Sequence, residues 1–347
     1  MSKSVSNPLD LLNLAGQRQL EKKIVAEDFK AFELAALAEV TPPPATLGDL
    51  QKLPGTWVGT GFNIIELPNM NQVKPGPPPP DKFRVMMNST SETLVFNEIT
   101  GDIINRGNAQ QDIAYLGLHY LQQISDVNLP KDNNGIHLET GLFLNLVGSA
   151  VPTEGPTIAR LGSIPHGDSI LAQGKSFTIK GAPKFTKADT TPFQIINGKR
   201  VNDTSAPYLA ILNSAMPPTN IPKEAIMNPN VMLENAIKGQ NIIETVVIEL
   251  DANPIDGVSN VPPSAKVGGI TNIPFINVNA DATTLSAIFW IETVKNPDNS
   301  TFLQLQYSQT VILDFPVSGP PPKNEVINLK WPHIAVATLR LQPHPSN

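Results

Sequence analysis

The stretch GTWVGTGFNIIEL, Gly55 to Leu67, marks where the chain changes its rhythm. Alternation puts Gly55, Trp57, Gly59 and Gly61 on one side, the two-residue period of a strand. Glycines inside a strand let another backbone come close. From here strand-like text dominates. FRVMMNSTSETLVFNEI reads as two strands with a turn near Asn88 to Ser91. IAYLGLHYLQQISD, GIHLETGLFLNLVG and TIARLGSIPHGDSILAQGKSFTI follow, broken by Gly or Pro. NIIETVVIELDA, TLSAIFWIETV, FLQLQYSQTVILDF and HIAVATLRL complete the series. About ten strands with almost no helix between them predict an all-β barrel or sandwich.

Two regions depart from this pattern. Between residues 8 and 39 apolar residues, among them Leu11, Leu14, Leu20, Ile24 and Phe32, recur at three- and four-residue steps. That period predicts a helix, with Asn7 as its N-cap and Pro8 at the first position. TPPPAT ends it, because proline removes a donor and clashes with the preceding turn. Residues 1–48 are therefore read as an N-terminal helical arm, in which TLGDLQKL adds a short turn. The β domain is read as residues 49–347. It is interrupted by a polyproline-like loop, KPGPPPPDK, and by a loop-rich insertion at about 183–240. Within the insertion, Glu224 to Lys238 is expected to be helical.

Composition excludes several classes. There are no cysteines, so disulfides, thiolate metal sites and cysteine nucleophiles are ruled out. The net charge is −6 and no basic run occurs, which argues against a nucleic-acid partner. No apolar run approaches the roughly 18 to 20 residues of a membrane-spanning helix. The first residues lack the apolar core of a signal peptide, so cytoplasmic residence is expected. P-loop, G-x-S-x-G, H-E-x-x-H and dinucleotide motifs are absent. PHGDS, Pro165 to Ser169, is the one stretch that suggests a hydrolase, yet residues adjacent on one turn rarely face one another.

The five histidines are the remaining chemistry. His344 reads as solvated, His119 as a satisfied core or edge residue, and His166 as part of a turn. His137 and Glu139 lie two apart, so a strand would put both on one face. His333 opens the strand HIAVATL, where Ala335, Ala337 and Leu339 share its face. Small residues beside an imidazole leave a shallow space that a flat ligand with a metal centre would fill.

Four stretches together resemble the nitrobindin family of heme-binding, calycin-like β-barrels. They are GTWVGTG, SETLVF with Glu92, Leu94 and Phe96, HLETGLFL with His137, Glu139 and Gly141, and PHIAVATLRL with Pro332, His333, Leu339 and Arg340. The resemblance implies a closed antiparallel barrel with heme b in its mouth and iron held by His333. Thr60, Phe62, Ala335 and Ala337 would line the cofactor. His137, His166 and His119 are the candidates for a distal acid–base role. The open iron position would take nitric oxide, peroxide or peroxynitrite, as in a peroxidase or a peroxynitrite isomerase. Trp57 and Arg340 would close the barrel by a cation–π contact. The chain departs from the family in its length, its insertion and the bulky FNIIELP that follows the glycines. A lipid carrier and an unrecognised hydrolase or isomerase are the alternative readings. Apolar residues in the arm and insertion also raise the expectation of a homodimer.

Overall fold

The computed structural model describes residues 44–68, 83–151, 153–203, 206–253, 268–318 and 326–343. The helix expected over 8–39, the polyproline loop and His344 lie outside the described residues. Strands β1 (Gly55–Pro68), β2 (Phe83–Glu98), β3 (Ile103–Asn105), β4 (Ile113–Asp126) and β5 (Gly135–Leu146) come first. β6 (Thr157–Ile164), β7 (Asp168–Lys180), β8 (Phe193–Ile196) and β9 (Lys199–Asn202) follow. β10 (Ile242–Ala252), β11 (Gly269–Asn272), β12 (Asp281–Lys295), β13 (Thr301–Ser318) and β14 (Val326–Leu341) complete the set.

Ten of these strands form a closed antiparallel barrel in the order β1-β2-β4-β5-β6-β7-β10-β12-β13-β14, with β14 returning to β1. The architecture is consistent with a calycin-like fold. The closing pair matches Trp57 with Leu341, Gly59 with Leu339 and Gly61 with Ala337. A side chain on Gly59 would stand 2.1 Å from the carbonyl oxygen of Thr338, so only glycine allows this approach. The expected turn near Asn88 to Ser91 is absent: β2 runs unbroken from Phe83 to Glu98. Asn88 and Thr90 face the interior there, while Ser89 and Ser91 face outward, and Ser89 accepts from Asn220 of the 183–240 segment.

One end of the barrel is sealed. A 3-10 turn, Gly48–Lys52, lies across it, and Leu50 and Leu53 are fully buried there. The indole Nε1 of Trp57 donates to the carbonyl of Leu53 at 2.7 Å. Above this plug, Leu94, Phe96, Leu118, Phe143, Ile291, Leu305 and Leu339 fill the interior. Each such side chain contributes roughly 1.5–3 kcal/mol by leaving water. Phe143 contacts Phe96, Tyr120 and Phe289 edge to face at 5.2–5.6 Å between centroids, the arrangement aromatic quadrupoles favour.

The segment over 183–240 packs on the outside of the barrel. Phe185, Ala188, Leu212, Ile221, Ile226 and Leu233 meet the outward-facing Phe62, Ile64, Val247, Trp290, Ile334 and Val336. Several strands are therefore apolar on both faces. The segment carries β8, β9 and a helix, Ala206–Ser214. The helix expected over Glu224 to Lys238 is shorter, a 3-10 turn at Lys223–Ile226 followed by a helix at Val231–Ala236. Pro229 and Asn230 separate the two. No helix among the described residues is long and apolar enough to cross a membrane.

Candidate functional site

The interior changes from apolar to polar along the barrel axis. Alternation sends Asn63, Asn88, Thr90, Glu92, Gln122, Asp126, His137, Glu139, Arg160, Gln309 and His333 inward from seven strands. Those nearest the sealed end are buried. Glu92, Glu139 and Arg160 retain 2 %, 0 % and 2 % of their exposure. Those toward the other end, namely Asn63, Asn88, His137, Gln309, His333 and Ala335, are half-buried. Inward-facing residues that keep some accessible surface define a cup above the buried ones; beyond His333, away from Trp57, Leu313, Phe315, Leu329 and Trp331 form a further buried apolar cluster.

The floor of the cup is a buried polar network. The Tyr120 hydroxyl donates to Oε1 of Glu139, and Arg160 Nη2 donates to the same oxygen at 2.8 Å. Arg160 Nε donates to the Tyr120 oxygen at 3.2 Å, and Nη1 to Gln309 Oε1 at 2.7 Å. The guanidinium also lies 5.5 Å from the centroids of Tyr120 and Phe289. Burial pushes Glu139 up, but the Arg160 charge and the hydrogen bonds from His137 and Tyr120 outweigh it and bring its pKa to about 2. Gly162 makes room for this cluster. A side chain there would stand 2.5 Å from Glu139 Oε1 and 2.8 Å from the Tyr120 hydroxyl.

Beside it, Glu92 accepts from Gln122 Nε2 and from the Tyr307 hydroxyl, both at 2.7 Å. Burial exceeds the help from these donors and raises its pKa from 4.5 to about 7.

The wall of the cup holds the histidines. His333 Nε2 lies 2.6 Å from Asn63 Oδ1. Asn63 Nδ2 donates to Asn88 Oδ1 at 3.1 Å, and Asn88 Nδ2 donates to Asp126 Oδ2 at 2.8 Å. Burial, together with the nearby His137 and His166, lowers the pKa of His333 to about 4, so the ring is neutral at pH 7. His137 and His166 approach within 5.9 Å between ring centroids, and His137 Nε2 is 3.5 Å from Glu139 Oε2. Asp168, raised by burial, faces the same region. Its Oδ1 is buried without a hydrogen-bond partner among the described residues.

The expected residues divide between the two faces. His333, Ala335 and Ala337 face inward, with Ala337 buried below the cup. His137 and Glu139 share the inward face of β5, and His166 sits in the β6–β7 turn above them. Thr60 and Phe62 are placed differently from the expectation. They alternate with Gly59, Gly61 and Asn63, so both point out of the barrel. Thr60 is exposed and Phe62 is covered by the 183–240 segment. The expected contact of Trp57 with Arg340 is also corrected. Trp57 pairs with Leu341 and faces inward. Arg340 pairs with Val58, faces outward and stacks over Phe302 at 4.3 Å.

Ser169 of PHGDS is exposed on the outer face of β7, away from the cup. His119 is likewise exposed and lies 3.0 Å from the Thr140 hydroxyl. Sequence reasoning missed Asn63, Asp126, Arg160 and Tyr307, and read Asn88 only as part of a turn. The available signal was parity, since Asn63 follows Trp57, Gly59 and Gly61 on one face. Among the described residues, no group of three or more His, Asp or Glu side chains is placed to hold a metal ion. Compared with protein-family models, curated proteins and solved structures, the chain finds no match.

Proposed function

We propose that this barrel binds a small molecule in the polar cup, with His333 as the group that receives it. The observation that carries the reading is the graded interior: a plugged apolar end, a buried polar floor, and half-buried polar walls above it. A core needed only for stability would be served by apolar residues, since buried ions seldom stabilise more than well-packed hydrophobes. Concave sites with a few convergent polar groups are the usual form of a ligand pocket. Native mass spectrometry of the freshly purified full chain tests this. A one-to-one adduct of small-molecule mass, weakened by His333→Phe, is expected. The bare chain alone, even after incubation with a panel of apolar and amphiphilic compounds, would refute it.

Heme b on His333, as the resemblance implies, is the rival reading. The neutral imidazole beside the small Ala335 favours it. The hydrogen bond at Nε2 works against it. Iron would be left with Nδ1, which adjoins the ring's own attachment to the backbone and crowds a macrocycle. As the ring stands, the residues do not fit the group, and no step is derived through iron. Titration with hemin followed at the Soret band separates the readings. A saturable shift lost in His333→Ala would establish heme, and no shift leaves the cup to an organic ligand.

The motive for a hydrolase is weakened by the outward placement of Ser169. The apolar residues of the 183–240 segment are used on the barrel's own wall, which removes them as a motive for a homodimer.

A further inference from the structure

The wall of the cup has a direction built into it. A carboxylate only accepts hydrogen bonds. Asp126 takes the backbone N–H of Asn128 on Oδ1 at 2.8 Å and the amide of Asn88 on Oδ2 at 2.8 Å. Asn88 must therefore turn its nitrogen to Asp126 and its oxygen to Asn63. Asn63 answers with its own nitrogen, which leaves its oxygen facing His333. An amide oxygen cannot donate, so the proton of the neutral ring sits on Nε2. Nδ1 is then a fixed lone pair. Four strands, β1, β2, β4 and β14, each supply one member of this relay.

The rest of the cup is also rich in acceptors. Among the described residues, Asp168 Oδ1 is buried without a hydrogen-bond donor, and Glu139 Oε2 has His137 Nε2 at 3.5 Å as its nearest donor. Arg160, the one buried arginine among the described residues, is committed to Glu139, Tyr120 and Gln309. His137 stands next to Glu139, and His166 lies within electrostatic reach of Asp168. Apolar surface is at hand for the remainder of a ligand. Ala335 and Val311 flank His333 on the inward face, and Ile65 lies opposite it toward the mouth.

Building on the small-molecule reading, we propose that the ligand is an uncharged amphiphile whose hydroxyl donates to Nδ1 of His333, and not a fatty carboxylate. A carboxylate would bring more acceptors to a lining already rich in them, and would find no uncommitted buried arginine among the described residues. A hydroxyl supplies the missing donor while its chain covers Ala335 and Val311.

Two measurements on the full chain test this at pH 7.5. Long-range ¹H–¹⁵N spectra of histidine-labelled protein read the tautomer directly. His333 is expected to be protonated on Nε2, and to lose that preference in Asn88→Leu. An Nδ1-protonated or charged ring overturns the relay. Calorimetric titration then compares decan-1-ol with decanoate. The alcohol is expected to bind at least about ten-fold more tightly, the effect of leaving a buried acceptor unpaired. Equal or tighter binding of decanoate, or binding of neither, overturns the assignment of ligand class. The small-molecule reading itself survives those outcomes as long as native mass spectrometry shows an adduct.

Discussion

Replacing Glu92 with glutamine should make the protein more stable in mild alkali and change little in mild acid. Glu92 is 2 % exposed and held by Gln122 and Tyr307. Its pKa rises from 4.5 in the unfolded chain to about 7 in the fold. A group whose folded pKa is raised lends stability that is complete below its unfolded value. That stability is lost as pH climbs through the folded value. The window here runs from 4.5 to about 7. At about 1.4 kcal/mol per pH unit, the shift corresponds to an effect on the order of 3 kcal/mol. Glutamine keeps the shape, cannot ionise, and lets Gln122 turn its amide to match. Glu292, also raised to about 7, lies on the outer face and affects both proteins alike. Urea denaturation at pH 5 and pH 8, followed by tryptophan fluorescence, is the assay. The variant should match the parent within about 1 kcal/mol at pH 5 and exceed it by about 2–3 kcal/mol at pH 8. A difference that is the same at both pH values would show that Glu92 does not titrate in this window, and the reasoning fails.

Arg160→Met should cost about 3–5 kcal/mol in the same assay, because it leaves the Glu139 charge buried beside Tyr120 without its cation. Adding Glu139→Gln should restore part of that loss, and a double variant no better than the single would contradict the pairing. Trp57→Ala should cost about 3–5 kcal/mol by emptying the sealed end and freeing the Leu53 carbonyl. A calorimetric melting temperature unchanged from the parent would mean the plug bears little of the load.

The strands themselves were legible because their period is short and local. β4 and β5 match the sequence reading closely, and His137 and Glu139 share a face because parity along one strand needs no knowledge of its partners. What parity alone does not reveal is which face is inside. β1 is apolar on both sides, with Trp57 inward and Phe62 and Ile64 outward under the 183–240 segment. Phe62 therefore looked like a ligand contact. The Arg340 error has the same source, one residue of register between Trp57 and its true partner Leu341. The relay from Asp126 to His333 left no mark on the sequence, because its members come from four strands and asparagine is common. A run of polar residues on both faces of a strand also reads as a turn, which is why the sequence alone divides β2 at Asn88.

The pairing that closes the barrel joins the first strand of the sheet to the last one made. β1 must wait, with one edge open, until β14 emerges from the ribosome. At roughly 5–20 residues per second the delay is on the order of tens of seconds. An unpaired edge with apolar residues on both faces is a template for association with other chains. The cell therefore has reason to shield this segment during synthesis. A chain arrested before β14 should fail as a soluble product, although every other strand of the barrel has been made.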